Sequence, residues 1–203
     1  MMEADGKRIP DSGTESTAED RGKKILQEIL EYVKTIVIVI ACAFLINGVI
    51  LINAQIPSES MEDTIMKGDR IFGSRLAYRF GDVERFDIII FRYPDDPSQY
   101  FIKRVIGLPG EEIHIRGGLV YVGDETEPLD NSFVKGTERA EDLDFSVPDG
   151  CYFVMGDNRN HSNDSRYWKQ HYVSEKAILG KAIFRYWPFT EITGFEYKPG
   201  DGV

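Results

Sequence analysis

The amino-acid sequence predicts a mainly β protein, with an antiparallel β-sheet or barrel domain preceded by one N-terminal transmembrane helix. Two observations lead to this prediction. The 18-residue run 35–52 is free of charge, and the chain beyond it alternates short apolar stretches with turns that contain Gly and Pro. The composition agrees, since 42% hydrophobic and 29% charged residues are ordinary values for a globular chain of 203 residues.

The first 34 residues are predicted to be a cytoplasmic tail with an amphipathic lead-in. Residues 1–24 are polar and lack apolar periodicity, as is typical of a solvated segment. From Ile25 onward, apolar residues recur at helical spacing and lead into the run at 35–52. As a helix that run would be about 27 Å long, close to the thickness of a bilayer core, and it lacks the polar stripe of an amphipathic helix. We therefore predict a transmembrane helix over 35–52.

The orientation of this helix follows from the lysines around it. Three lysines shortly precede the run, and the first basic residue after it is Lys67. Positive charge near a span stays in the cytoplasm, which predicts a cytoplasmic N-terminus and an extracytoplasmic domain over residues 53–203 in a single-pass protein of the plasma membrane. The small-residue triplet at 41–43 is similar to a leader cleavage site. The apolar run continues to Ile52, however, so an uncleaved anchor is favoured.

The exported domain is predicted to be acidic and free of disulfides. Six of the 24 basic and eight of the 34 acidic residues precede residue 53, which leaves 18 basic against 26 acidic residues, a net charge of −8. Such a balance excludes the basic face that nucleic-acid binding requires. Cys42 and Cys151 lie far apart, and the first falls in the apolar run, so they do not indicate a disulfide framework.

Seven short stretches rich in β-branched and aromatic residues are predicted to be strands. Turn residues separate them about every ten positions, as in antiparallel folds. Residues 123–150 are more polar and less regular, which indicates an insertion or an extended hairpin. The predicted strands are Arg70–Ser74, Asp87–Tyr93, Phe101–Ile106, Glu112–Ile115, Leu119–Val122, Tyr152–Met155 and Ala182–Tyr186.

Two serines follow the predicted anchor closely, in the segment PSESM at 57–61. On an extended segment Ser58 and Ser60 would point to the same side and Glu59 to the other. One hydroxyl could then attack a substrate while the other donates a hydrogen bond. Taken alone, the pattern equally fits a plain linker.

A lysine stands in the middle of an apolar strand in the segment YFIKRVIGLPG at 100–110. Alternation puts Lys103 on one face and Arg104 on the other, so one of these two cations is expected to be buried or paired. An edge-strand lysine that discourages aggregation is one interpretation. The other is a general base, because removal from water favours the neutral amine.

The third segment, GDNRNHSNDSR at 156–166, crowds acids, bases and hydroxyls after the apolar stretch that ends at Met155. Packed against a core, it would need dense internal hydrogen bonding. Asp164 and Arg166 are placed to form an ion pair. A local Ser-His-Asp triad is disfavoured, because triad members are brought together by the fold. The histidines show no metal-binding spacing, so no metal is predicted.

Together the three segments resemble those of type I signal peptidases, membrane-anchored serine proteases with a Ser/Lys dyad. PSESM is similar to that family's serine box, YFIKRVIGLPG to its lysine box and GDNRNHSNDSR to its distal box, in the expected order. The resemblance covers the anchor and essentially the whole ectodomain. The short connection between the last two boxes resembles the compact, single-span branch of the family.

The resemblance implies roles for individual residues. Ser60 would be the nucleophile, Lys103 the general base and Ser58 the donor to the oxyanion. Ser162 would orient the lysine amine, and Asp164 and Arg166 would form a supporting ion pair. The residues implied to line the substrate pockets are Ile56, Met61, Ile65 and Ile102.

The resemblance also implies the substrate and the surroundings. The substrate would be an exported preprotein with a signal peptide, cut after a small residue with another small residue two positions earlier. No cofactor is implied; membrane lipid would surround the anchor and the secretion translocon would lie nearby. Two residues depart from the family pattern, Glu59 in place of glycine and Asp63 in place of proline, which puts substrate shape or pH optimum in doubt.

Two other functions compete with this one. A self-cleaving Ser/Lys protease of the repressor type would share the dyad and a β fold, but the predicted uncleaved anchor counts against it. A catalytically inactive, membrane-tethered binding module is the other, and Glu59 could indicate it. The presence of Ser60, Lys103 and Ser162 together favours the enzyme.

Overall fold

The computed structural model describes residues 18–45, 48, 50–136 and 142–197. The predicted tail therefore lies mostly outside the described residues, as do parts of the run 35–52 and of the segment 123–150. The chain divides into two compact units, with the boundary between Phe44 and Leu45.

In the described part of the N-terminal unit the chain forms a helix, α1, Ala18–Leu45, which begins before the predicted lead-in. Apolar side chains along it are exposed, among them Ile36, Val39 and Phe44. Among the described residues, no helix meets the length and apolarity needed to cross a membrane. The predicted end of the helix at Ile52 is wrong, because Leu51 and Ile52 already pair with the domain as part of a strand, β1.

The second unit contains eleven strands in its described part. All seven predicted strands are confirmed, with ends that shift by a few residues. The strands are β1 Leu51–Gln55, β2 Arg70–Ser74, β3 Ile88–Tyr93, β4 Asp96–Gly107, β5 Glu112–Arg116, β6 Leu119–Val122, β7 Leu143–Ser146, β8 Cys151–Met155, β9 Val173–Ser174, β10 Ile178–Trp187 and β11 Thr193–Gly194.

These strands form two antiparallel sheets. The larger has the order β1-β2-β10-β3-β4-β8-β9, with β11 added to β10, and the smaller has the order β6-β5-β7. The segment 123–150 is therefore more than a hairpin, since its strand β7 pairs with β5 on the side opposite to β6. This arrangement confirms the predicted mainly β, antiparallel class.

Three apolar clusters fill the domain. The first lies around β1, β2 and β10 and includes Ile71 and Ile90. The second joins the small sheet to β8 through residues such as Ile113 and Phe153. The third surrounds Trp168. Strand β4 contributes to all three clusters, which holds its central residues rigidly.

Candidate active site

The serine segment leaves β1 and folds into turns over the first cluster. The main chain of Ile56 is fixed by hydrogen bonds to Asp69 and Gly68. Beyond Ser58 the chain turns instead of staying extended, and the Ile65 N–H donates to the Met61 carbonyl at 2.7 Å. The two hydroxyls still lie together, with Ser58 Oγ 3.3 Å from Ser60 Oγ.

Lys103 reaches this serine from the middle of β4. Its Nζ donates to Ser60 Oγ at 2.7 Å and to the Ile102 carbonyl at 3.0 Å. Both side chains are removed from water, since Ser60 is 5% and Lys103 4% exposed. The fold thus joins two residues 43 positions apart in a contact suited to proton transfer.

Burial is the main influence on the charge of Lys103. It lowers the pKa of the ammonium from 10.5 to about 8, against the opposing effect of the Asp164 and Asp157 carboxylates, while Arg166 lowers it further. A desolvated amine prefers the neutral form. At pH 7 about a tenth of such a group is neutral, compared with about 0.03% of an ordinary lysine.

Arg104, the neighbour of Lys103 in sequence, is buried on the other face of β4 and fully paired. Its guanidinium contacts Asp157 through Nε at 2.9 Å and through the second nitrogen at 2.6 Å. The same carboxylate accepts a hydrogen bond from Thr64 Oγ1 at 2.6 Å. Arg104 and Asp157 therefore tie the turn that carries Ser60 to β4 and to the distal segment.

The predicted pair of Asp164 and Arg166 is confirmed and lies fully inside the protein. Arg166 Nε meets Asp164 Oδ1 at 2.8 Å, with the two side chains 1% and 0% exposed. The carboxylate also accepts the Gly156 N–H at 2.9 Å. A second buried arginine, Arg159, donates to the Gly156 carbonyl, and burial lowers its pKa to about 10. The distal segment is thus the densely bonded structure that its composition predicts.

Ser162 lies beside the dyad without a hydrogen bond to it. Its Oγ is buried and has no hydrogen-bond partner among the described residues. Gly156 separates it from the nucleophile, because a Cβ added there would come within 2.3 Å of both Ser162 Oγ and the Ser60 carbonyl oxygen. A contact this close requires glycine at position 156. The structure shows no hydrogen bond between Ser162 Oγ and Lys103.

Asn158 holds the main chain around the nucleophile. Its N–H donates to the Ser60 carbonyl at 3.1 Å, and its side-chain amide donates to the Glu59 carbonyl at 3.1 Å. The sequence did not single out Asn158, Asp157 or Thr64, and it left open which of Lys103 and Arg104 would be buried or paired. The only signal for these residues in the sequence was that they lie in or near the three segments 57–61, 100–110 and 156–166.

The four residues expected to line substrate pockets lie together in the first apolar cluster. Ile56 and Ile102 are 4% and 8% exposed, whereas Met61 and Ile65 have no exposed surface. All four side chains are therefore buried, and none of them forms an open pocket wall in this structure.

The two departures from the family pattern face away from the dyad. The Glu59 carboxylate is 48% exposed and pairs with Lys67 at 3.3 Å, as expected for a side chain that points away from Ser60. Asp63 has a left-handed backbone with φ of 79°, a conformation that proline cannot adopt. Among the described residues, no group of His, Cys, Asp or Glu is arranged to hold a metal ion.

Comparison with known proteins gives a consistent result. The family model described as signal peptidase, peptidase S26, matches residues 29–187. A probable signal peptidase I-2 from Synechocystis is 38% identical over 80% of this chain and 75% of that protein. Signal peptidase IB from Staphylococcus aureus strain COL is 31% identical over 81% of this chain and 93% of its own length. The crystal structure of a signal peptidase I from Enterococcus faecalis is 34% identical, with a TM-score of 0.42, and covers 50% of this chain and 97% of its own.

Proposed function

The chain belongs to the signal peptidase family, peptidase S26, and we propose that it removes signal peptides from exported preproteins with Ser60 as nucleophile and Lys103 as general base. One observation carries this assignment. Lys103 Nζ lies 2.7 Å from Ser60 Oγ in a buried contact, which is the geometry that transfer of a proton from the hydroxyl requires.

The reaction begins with transfer of the Ser60 proton to the neutral Lys103 amine as Oγ attacks the scissile carbonyl carbon. The Lys103 ammonium then gives a proton to the departing amine, which leaves an acyl-enzyme on Ser60. A water molecule, deprotonated by the same amine, hydrolyses the ester and restores the dyad. In this second half the Lys103 ammonium returns the water-derived proton to Ser60 Oγ, so each half of the reaction ends with a neutral lysine.

Ser58 is the proposed oxyanion donor. Its hydroxyl lies 3.3 Å from Ser60 Oγ, close to where the carbonyl oxygen of a tetrahedral intermediate would develop its charge. Ser58 is exposed in the free protein, and a bound substrate would cover it, which would let its hydroxyl stabilise such a charge strongly. Ser162, whose buried Oγ has no partner among the described residues, remains available to orient the Lys103 amine once substrate closes the site.

An extended substrate has a strand edge to pair with. Strand β4 pairs with β8 from Arg104 to Gly107, and the described residues show no partner on that side of β4 before Arg104. Lys103 lies directly at this edge. A preprotein segment added there would gain main-chain hydrogen bonds, and Ile56 and Ile102, which keep 4% and 8% of their surface exposed, are the proposed contacts for small side chains at the cut.

The N-terminal helix is the proposed membrane anchor. Its C-terminal half belongs to the uncharged run that begins at Thr35 and exposes large apolar side chains. An exposed apolar surface of this extent favours lipid over water. With the basic residues on its N-terminal side, the helix would keep the N-terminus cytoplasmic and the β domain outside, next to the translocon that delivers the substrates.

The buried dyad counts against an inactive binding module. A buried lysine whose pKa is lowered to about 8 is unfavourable for folding at neutral pH, and a binding module would gain nothing from it. A self-cleaving protease of the repressor type would share the same Lys103–Ser60 contact, and the proposed membrane anchor counts against it.

The test is cleavage of a preprotein by the full-length chain in detergent, with the cut site mapped by mass spectrometry. We expect one cut after a small residue that has another small residue two positions earlier. Ser60→Ala should abolish the cut, and Ser174→Ala, at an exposed serine of β9 that pairs with Cys151, is the matched control. Equal cleavage by the parent and Ser60→Ala would refute the assignment.

A further inference from the structure

A strap formed by Val134, Lys135 and Gly136 crosses the distal segment close to the nucleophile. The Lys135 N–H donates to the Asp157 carbonyl at 2.8 Å, and the Lys135 carbonyl accepts the Arg159 N–H at 3.0 Å. The two segments form a parallel bridge between Lys135 and Asn158. The main chain of Lys135 is therefore fixed to the same segment that holds the Ser60 carbonyl.

The side chain of Lys135 reaches from this fixed point to the turn at residues 60–65, called the serine turn below. Its Nζ lies 3.2 Å from Asp63 Oδ1 and 3.5 Å from Glu62 Oε2. Since the backbone of Lys135 is already ordered, less conformational entropy is lost than for an ordinary surface pair. One cation also relieves the repulsion between two neighbouring carboxylates.

The serine turn contains a residue in a left-handed backbone conformation, which contacts with the rest of the domain must stabilise. Asp63 has a φ of 79°, a left-handed conformation that costs a non-glycine residue free energy unless its surroundings enforce it. On the buried side, Thr64 is fixed by its hydrogen bond to Asp157. On the exposed side, Lys135 is the cation that the described structure places against Glu62 and Asp63.

We infer that Lys135 is a positioning residue for the cleavage reaction: it couples the turn after Ser60 to the distal segment and so fixes Ser60 Oγ against Lys103. The inference rests on the proposed function, because it assigns Lys135 to the same dyad. Misplacement of a nucleophile by a fraction of an ångström slows the chemical step more than substrate binding. The contact therefore acts on kcat.

The experiment compares full-length parent, Lys135→Met and Lys135→Arg on a preprotein substrate. We expect Lys135→Met to lower kcat about 3- to 10-fold with little change in KM, and Lys135→Arg to restore most of it. Lys67→Met is the matched control, since it removes an exposed ion pair to the serine segment without a bridge to the distal segment. Salt should lower kcat of the parent toward that of Lys135→Met, because the pair is exposed to screening.

A second readout does not depend on activity. Amide exchange of the peptide 60–65 should accelerate in Lys135→Met and in Asp63→Asn, and the double variant should be no faster than either single one. Unchanged exchange together with kcat within twofold of the parent would overturn the inference. A parent that exchanges as expected but cuts no preprotein would overturn the proposed function alone.

Discussion

The buried amine of Lys103 is predicted to reduce stability at the pH at which the enzyme works, and Lys103→Met measures this cost. Methionine has nearly the volume of lysine and carries no charge. The fall in the lysine pKa from 10.5 to about 8 corresponds to about 3 kcal/mol of free energy against the buried ammonium. Below pH 8 the lysine is protonated in both the folded and the unfolded chain, so it does not make the free energy of unfolding depend on pH there.

The sign of the effect follows from proton counting. Between pH 8 and 10.5 the unfolded chain retains a proton that the folded chain has released, so the free energy of unfolding of the parent rises with pH. Lys103→Met lacks this group and its rise. The difference in unfolding free energy between the two proteins should therefore shift by about 3 kcal/mol in favour of the parent across that interval.

The assay is urea unfolding of the full-length proteins in detergent, followed by tryptophan fluorescence at several pH values. Both tryptophans lie in the β domain, and Trp168 is 2% exposed, so the signal reports on the unit that carries the dyad. Curves of stability against pH that stay parallel from pH 7 to 10.5 would refute the buried, shifted lysine.

Three further predictions concern the surroundings of the dyad. Ser58→Ala should lower kcat about 100-fold while KM changes little, as expected for a lost oxyanion donor; near-normal kcat would leave Ser58 without a catalytic role. Gly156→Ala should destabilise the domain and abolish cleavage, because its Cβ would lie within 2.3 Å of Ser162 Oγ and the Ser60 carbonyl. A Gly156→Ala protein that is folded by circular dichroism and still cleaves the preprotein would contradict this prediction. Asp63→Gly should lower kcat only as far as Lys135→Met does, because it loses the contact with Lys135 but keeps the φ of 79°, whereas Asp63→Pro should abolish activity because proline cannot adopt that φ; equal activity of the two variants would show that the turn does not need this conformation.

The sequence predicted the parts of the site that depend on local pattern. The seven strands followed from β-branched stretches between turns, and Lys103 was identified because a lysine interrupts one of them. The Asp164–Arg166 pair was also predictable, since both residues lie in one short segment and their side chains meet across it at 2.8 Å.

Other features depend on contacts that sequence spacing does not reveal. The buried pair of Arg104 and Asp157 joins residues 53 positions apart, and alternation alone could not choose between burial of Lys103, of Arg104 or of both. Strand β1 was not predicted because Leu51 and Ile52 continue an apolar run, and such a run is equally typical of a helix and of a buried strand. Strand β7 was missed because its sequence, LDFS, has a single buried residue, Phe145.

The catalytic base is the central claim, and the pH dependence of kcat/KM tests it most directly. For the full-length parent we predict a rise with pH on a limb near 8, the value to which burial lowers the pKa of Lys103. Lys103→Arg, folded by circular dichroism, should be inactive at every pH because arginine stays protonated. A limb near 6.5, typical of histidine, or substantial cleavage by folded Lys103→Arg would contradict the Ser60/Lys103 dyad.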